Sequence, residues 1–256
     1  MNLDQTLARL AAERPELGLN VSGAGARLPR LAETARPGSG ILENWLAGTA
    51  SLAEGVDART AAAYLISILT WRLGEILGAL YLEGTILPAL EAAQLGADLT
   101  VVGTPGARDI RFDFHFAAAD GGTGFDRAGM RRSILAVHRP LVMALNRETG
   151  LSRGALWRLV TDGMTNGFLV HGKLTGRVDP ARAEAEAIFD GAPLANRQWR
   201  FIRIEPDGHS PEWFRLRGGC CRLYRTPGAD YCTTCVLRGE AEQVARLENF
   251  MRNRAQ

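Results

Sequence analysis

Cysteine is scarce in this chain, and its distribution is the main signal in the sequence. The chain has four cysteines in 256 residues, all between positions 220 and 235. The rest of the protein therefore cannot contain a disulfide network. The chain also lacks a large excess of charge of either sign, because the formal net charge is only +2. This value is too close to neutral to indicate a nucleic-acid-binding protein.

Long hydrophobic stretches are absent as well. The longest stretch without a charged residue covers residues 60–71, which is 12 residues, whereas a membrane span needs about 20. Asp4, Arg9 and Glu13 replace the basic start and apolar stretch of a secretory signal, so we expect none. We expect a cytoplasmic protein, since metal-binding thiols persist in a reducing compartment. Peripheral attachment to the inner face of a membrane stays compatible with the sequence.

Motifs for redox nucleotides are also missing. Residues 23–28 begin as Gly-x-Gly but have Leu28 in place of the last glycine and no strand before them. The dinucleotide-binding pattern therefore fails there, and it fails at residues 122–124 in the same way. No P-loop is present. A redox protein of this kind takes its electrons from an external donor, either a protein or a diffusible reductant.

The hydrophobic pattern predicts an α+β fold with a mainly α-helical body, a small antiparallel sheet and a C-terminal cysteine-rich segment. Residues 58–83 are apolar on most faces, which is typical of a central core helix, and we expect its Trp71 to lie in the core. Residues 111–116 alternate polar and aromatic side chains, as a half-buried strand does. Further helices are predicted at 3–13, 86–95, 130–147, 152–171, 179–191 and 240–252, and further strands at 199–204 and 212–217. We divide the chain into a helical body of residues 1–205 and a cluster-binding segment of residues 206–256.

The four cysteines follow the pattern Cys220-Cys221-x10-Cys232-x2-Cys235. Four thiols at one place are a complete ligand set for a metal ion or an iron–sulfur cluster. Adjacent side chains of a strand point to opposite faces, so the vicinal pair reaches one centre only if the backbone turns sharply. The glycines at 218–219, just before the pair, permit such a turn because glycine tolerates unusual backbone angles.

Spacing alone leaves three uses of these thiols open. Zinc needs tetrahedral closure by all four thiolates and is usually held by two separated Cys-x-x-Cys knuckles, which a vicinal pair fits poorly. A two-iron cluster spreads four thiolates over two metal centres and is a more elongated target. Redox-active thiols or disulfides are the third use. Nearby positive charge favours the thiolate form, and five arginines surround the motif: Arg215, Arg217, Arg222, Arg225 and Arg238.

The cysteine pattern and its flanks resemble the ferric-siderophore reductases of the FhuF type. The resemblance lies in the four cysteines, in the Cys-Cys-Arg-Leu-Tyr-Arg-Thr-Pro-Gly text of residues 220–228 and in the Leu-Ser-Arg-Gly-Ala-Leu-Trp text of residues 151–157. It is close over about the last 40 residues and loose over residues 58–200. One departure is Val236, because the family often has proline after the last cysteine.

This resemblance implies a [2Fe-2S] cluster as the cofactor, and one-electron reduction of siderophore-bound Fe(III) with release of iron in the cytosol. It implies four ligands of the cluster metal and no catalytic residue beyond them: Cys220, Cys221, Cys232 and Cys235. We expect the chelate to lie in a groove between the cluster and the helical body, with Arg222, Tyr224 and Arg225 as substrate contacts. Two alternatives remain: a zinc-stabilised binding module, and an iron–sulfur electron carrier or sensor without a siderophore substrate.

Overall fold

The computed structural model describes residues 3–20, 28–85, 89–104, 107–117, 126–195 and 198–254. Eight α-helices and four strands lie in these ranges. The helices are α1 (Leu3–Glu13), α2 (Leu31–Thr34), α3 (Ile41–Ala50), α4 (Ala58–Leu82), α5 (Arg127–Thr149), α6 (Arg153–Leu174), α7 (Val178–Phe189) and α8 (Glu240–Arg254). The strands are β1 (Leu95–Val102), β2 (Asp109–Phe116), β3 (Arg200–Ile204) and β4 (Glu212–Leu216), paired as two antiparallel hairpins, β1–β2 and β3–β4. The predicted α+β class is confirmed, with two small sheets in place of one.

The contact between α4 and α6 forms the centre of the helical body. Two glycines on each helix meet there, Gly74 and Gly78 on α4 and Gly163 and Gly167 on α6. A Cβ atom on Gly167 would lie 2.0 Å from the carbonyl carbon of Gly74, so no side chain fits between the two backbones. Close packing of this kind leaves no free volume for a larger residue. The glycines thus bring the middle of α6 directly against α4.

Local sequence signals explain where the long helices begin. The carboxylate of Asp57 accepts a hydrogen bond from the Thr60 N–H at 2.6 Å before α4. The hydroxyl of Ser152 accepts one from the Ala155 N–H at 3.2 Å before α6, as the sequence predicts. Such side chains satisfy backbone donors that have no partner within the helix. Pro140 lies inside α5 and does not interrupt it.

The β1–β2 hairpin packs its aromatic face into the core. Phe112 and Phe114 are fully buried and Phe116 nearly so, which confirms the predicted inner face of the strand. The predicted helix at 86–95 is wrong for the residues described there. Residues 89–94 contain no helix, and β1 begins at Leu95 because residues 95–102 pair along their whole length with β2.

Burial of α4 follows the prediction with one exception. Trp71 is 38% exposed, so its predicted place in the core is wrong. Its indole N–H donates to the Glu75 carboxylate at 2.7 Å, and this buried carboxylate also accepts from Arg14 at 2.9 Å. Within the described residues α4 alone is long and apolar enough to cross a membrane, and 67% of its most apolar window is buried inside the protein. A core helix meets the same test of length and composition.

The C-terminal part has a small core of its own. Ile204 and Leu216 of the β3–β4 hairpin pack against Leu247 and Met251 of α8. The predicted boundary between residues 205 and 206 falls in the connection between β3 and β4. The hairpin leads directly to the first cysteine pair, and it contacts α6 through β4.

Candidate metal centre

The four cysteines lie in two backbone turns that follow β4. Cys220 and Cys221 come just after the hairpin, and Cys232 and Cys235 bracket a turn in which the Cys235 N–H donates to the Cys232 carbonyl at 3.0 Å. The two turns are joined because the Arg217 N–H donates at 3.1 Å to the carbonyl of Thr234, one of the two residues between those last two cysteines. All four side chains are free thiols. The fold thus brings together the residues that the sequence pattern singled out.

Cys220 and Cys232 each interact with the other cysteine of their own turn and with one cysteine of the other turn. Arg217 Nη1 lies 3.7 Å from the Cys221 sulfur and 3.6 Å from the Cys232 sulfur, and so connects this pair. The thiols of Cys220 and Cys235 interact with each other. In the described parts of the chain, no three Cys, His, Asp or Glu side chains are close enough to hold one metal ion. Thiols of both turns thus lie near one another, as a centre held by four thiolates requires.

Burial controls the protonation of the free thiols. It raises the pKa of Cys220, Cys232 and Cys235 above the ordinary cysteine value. The guanidinium of Arg217 opposes this effect at Cys232 by lowering that pKa. Metal centres bind the thiolate form. Loading of the site therefore releases protons, and acid opposes it.

The backbone bends at Gly218 and Gly219, just before the vicinal pair, as the sequence predicts. Neither glycine has a positive φ there. In the described residues, Arg222 is the one non-glycine residue with a positive φ, at 63°. Its N–H donates to the Cys220 sulfur at 3.3 Å. Gly219 serves a second purpose, since a Cβ there would lie 2.9 Å from Leu159 Cδ2 on α6.

Asp162 of α6 anchors the vicinal pair, and sequence reasoning missed it. Its side chain is 2% exposed. One carboxylate oxygen accepts from the Gly218 N–H and the other from the Gly219 N–H, each at 2.8 Å. The same carboxylate lies 3.2 Å from Arg215 Nη1 and 3.7 Å from Arg217 Nε. The sequence does carry a signal for this role, because Asp162 is the only acidic residue of a mostly apolar predicted helix, α6. A buried carboxylate requires hydrogen-bond or charged partners.

A cavity of about 470 Å³ separates the cysteines from the helical body. Its lining includes Cys221 and Cys232 from the cysteine turns, Trp71 of α4 and Asn166 of α6. The predicted groove between the cysteine segment and the body therefore exists as a cavity. Its occupation by a chelate stays a prediction.

The three residues predicted to contact substrate lie elsewhere around the cysteines. Arg222 forms an ion pair with Asp57 at 3.4 Å. The ring of Tyr224 packs on that of Tyr231 with 4.6 Å between centroids, and Arg225 is exposed. Among the residues that the structure describes, the cationic side chains lining the cavity are two others, Arg215 and Arg217. The role of Arg222, Tyr224 and Arg225 as substrate contacts stays a prediction.

Comparison with known families agrees with the geometry. The family profile of the FhuF 2Fe-2S C-terminal domain matches residues 217–237, which include all four cysteines. This confirms the resemblance predicted from the sequence and identifies a [2Fe-2S] cluster as the cofactor of this segment. The zinc-stabilised module is thereby set aside. The match covers the cysteine segment and not the helical body. No curated protein gives a significant match to the chain.

Proposed function

We propose that this protein reduces siderophore-bound Fe(III) by one electron, and that Cys220, Cys221, Cys232 and Cys235 hold the [2Fe-2S] cluster that supplies the electron. The observation that supports this proposal most directly is the cavity beside the cysteines. Two of the four cysteines, Cys221 and Cys232, line it together with the helical body. A molecule in this cavity would contact half of the ligand set of the cluster.

The chemistry of iron release matches a one-electron protein. Siderophores bind hard Fe(III) through oxygen donors, and reduction to the less charged Fe(II) weakens those bonds so that iron leaves. The [2Fe-2S] cluster, when bound, supplies electrons one at a time. The electron lost in each turnover is replaced by an external donor, either a protein or a diffusible reductant. We place the reaction in the cytosol, where peripheral contact with the membrane is compatible with the protein.

The residues around the cysteines prepare the site for a gain of negative charge. Arg217 is partly buried, and its guanidinium directs one nitrogen toward the sulfurs of Cys221 and Cys232. Hydrogen bonds to sulfur and nearby positive charge raise the reduction potential of such centres. Asp162 holds both the backbone turn and the guanidinium. These contacts fix the arginine in place before the electron arrives.

The first test has two stages on protein purified without oxygen. Absorption spectra with iron, sulfide and zinc analysis should give about two irons and two sulfides per chain. The chemically reduced protein is then mixed with ferric siderophores while a ferrous-specific chelator traps the product. We expect reoxidation of the cluster with one Fe(II) trapped for each electron lost, and no such reaction with Cys235→Ser. A cluster that stays reduced with every ferric siderophore, yet passes electrons to a protein acceptor, would identify an electron carrier.

A further inference from the structure

We propose that the cavity between Trp71 and the Cys221–Cys232 pair is the binding site of the ferric chelate. The indole of Trp71 would supply an apolar surface, and Asn166 a polar contact. This inference rests on the proposed function and extends it from the cysteine segment to the helical body. It replaces Arg222, Tyr224 and Arg225 with residues of α4 and α6 as the substrate-binding groups.

The size and lining of the cavity are those of a small-molecule site. Its volume of about 470 Å³ lies within the range of roughly 300–1,000 Å³ that is typical of ligand pockets. Apolar side chains form much of the lining, including Ile68, Leu159 and Leu223. Pockets of this type combine an apolar wall with a few polar groups that fix the orientation of the ligand.

Trp71 is exposed on a helix whose neighbouring residues are mostly buried. Its ring cannot turn freely, because the indole N–H is bonded to Glu75 at 2.7 Å and Glu75 is itself held by Arg14. Tryptophan is enriched at binding interfaces, where its ring supplies apolar contact area and its N–H keeps a hydrogen-bond partner. Because Trp71, Cys221 and Cys232 line the same cavity, one ligand can contact the indole and lie beside both cysteines.

Several polar groups of the lining have unused hydrogen-bonding capacity. Within the described residues, Nε and Nη1 of Arg215 and Nε of Arg217 are buried atoms without a hydrogen bond, and the polar side chains of Asn166, Thr233 and Thr234 also line the cavity. Polar groups in such places are normally satisfied by protein, water or ligand. Donors of this kind suit the oxygen atoms of an iron chelate.

The test separates binding from electron transfer by using gallium(III), which replaces Fe(III) in siderophores and is not reduced under these conditions. Cluster-loaded protein is titrated calorimetrically with the gallium complexes of a tris-hydroxamate and of a tris-catecholate. We expect at least one complex to bind. Trp71→Ala should weaken its binding about tenfold, and Asn166→Ala about fivefold. Phe250→Ala is the matched control, because Phe250 is an aromatic residue of α8 that is 47% exposed and lies outside the cavity lining; its affinity should equal that of wild type.

The outcomes for the site and for the reaction are distinguishable. If both cavity variants bind the gallium complex as tightly as wild type and keep intact cluster spectra, the cavity is not the binding site. The proposed reduction would still stand. The same holds if wild-type protein reduces ferric chelates but binds neither gallium complex. Failure of the reaction is recognised separately, as a reduced wild-type cluster that no ferric siderophore oxidises. Gallium binding that depends on Trp71 would support the site even then.

Discussion

Between α4 and α6 there is no room for a Cβ atom, whereas residues 217–237 contain only one turn of 3-10 helix and otherwise no regular structure. The body is held by dense apolar packing. The cysteine segment is held by polar contacts, such as those of the buried Arg238 side chain with the carbonyls of Tyr231 at 2.6 Å and Cys232 at 3.1 Å. A segment with so little apolar core gains much of its stability from the metal centre it binds. The body, in contrast, should remain folded without metal.

Removal of the cluster should have the largest effect and should separate the two regions. Cys235→Ser removes one ligand, so we expect complete loss of the visible absorption and fast amide exchange over residues 217–237. Amides of α4 should keep their protection, because α4 packs on α6 and not on the metal centre. Hydrogen exchange measured by mass spectrometry checks both statements, with Thr234→Ser as a control in the same turn. Equal protection of residues 217–237 with and without the cluster would contradict the comparison.

Gly167→Ala should have the largest effect on the body. The added Cβ would meet the backbone of Gly74 at 2.0 Å, and the two helices must separate to admit it. We expect a loss of about 3 kcal/mol in the free energy of unfolding, measured by urea denaturation. Gly154→Ala is the control, since nothing lies within 4 Å of a Cβ there. It should stabilise the helix by up to about 1 kcal/mol. Similar stability of the two variants would show that the helices are not in closest contact at Gly167.

Asp162→Asn tests the connection between the two regions. The asparagine side chain has one acceptor oxygen, so it cannot accept from both Gly218 and Gly219 as the carboxylate does. We expect the free energy of unfolding to fall by about 2 kcal/mol and iron to be released faster to a competing chelator. Asp179→Asn is the matched control, because Asp179 is 80% exposed near the start of α7. If both variants retain iron equally well, Asp162 does not position the cysteine turn.

Arg217→Gln should have the smallest effect and should act on the cluster alone. It removes a positive charge and two contacts to sulfur, so the reduced state is stabilised less. We expect the reduction potential to fall by about 60 mV, a tenfold change in the one-electron equilibrium. A redox titration followed by electron paramagnetic resonance measures it. Arg203→Gln, an exposed change on β3, should leave the potential unchanged. A potential that does not move in Arg217→Gln would remove this arginine from the account of electron transfer.

Sequence patterns predicted those features that depend on residues close together in the chain. Helices α4, α6 and α8 follow from apolar periodicity, the start of α6 from the capping residue Ser152, and the metal centre from the spacing of four cysteines. Each of these signals lies within a single short window of sequence. The domain boundary between residues 205 and 206 and the substrate contacts have no such signal and stay predictions.

The features that were missed depend on distant partners. Strand β1 is defined by its pairing with β2, and its own sequence from Leu95 to Val102 resembles the end of a helix as much as a strand. The exposure of Trp71 arises because it lines a cavity that the distant cysteine segment helps to form. Asp162 has its partners 56 and 57 positions away. Burial and pairing across such separations are not encoded in local periodicity.

The carboxylate that orders the vicinal cysteine turn comes from a helix in the middle of the chain. A graft of residues 217–237 onto a different scaffold would transfer all four thiols but not the acceptor for the Gly218 and Gly219 N–H groups. The graft would also lose the surface of α6 on which Gly219 sits without a side chain. An engineer who wishes to transplant this cluster must therefore move α6 with it, and must include α4 to keep α6 in place.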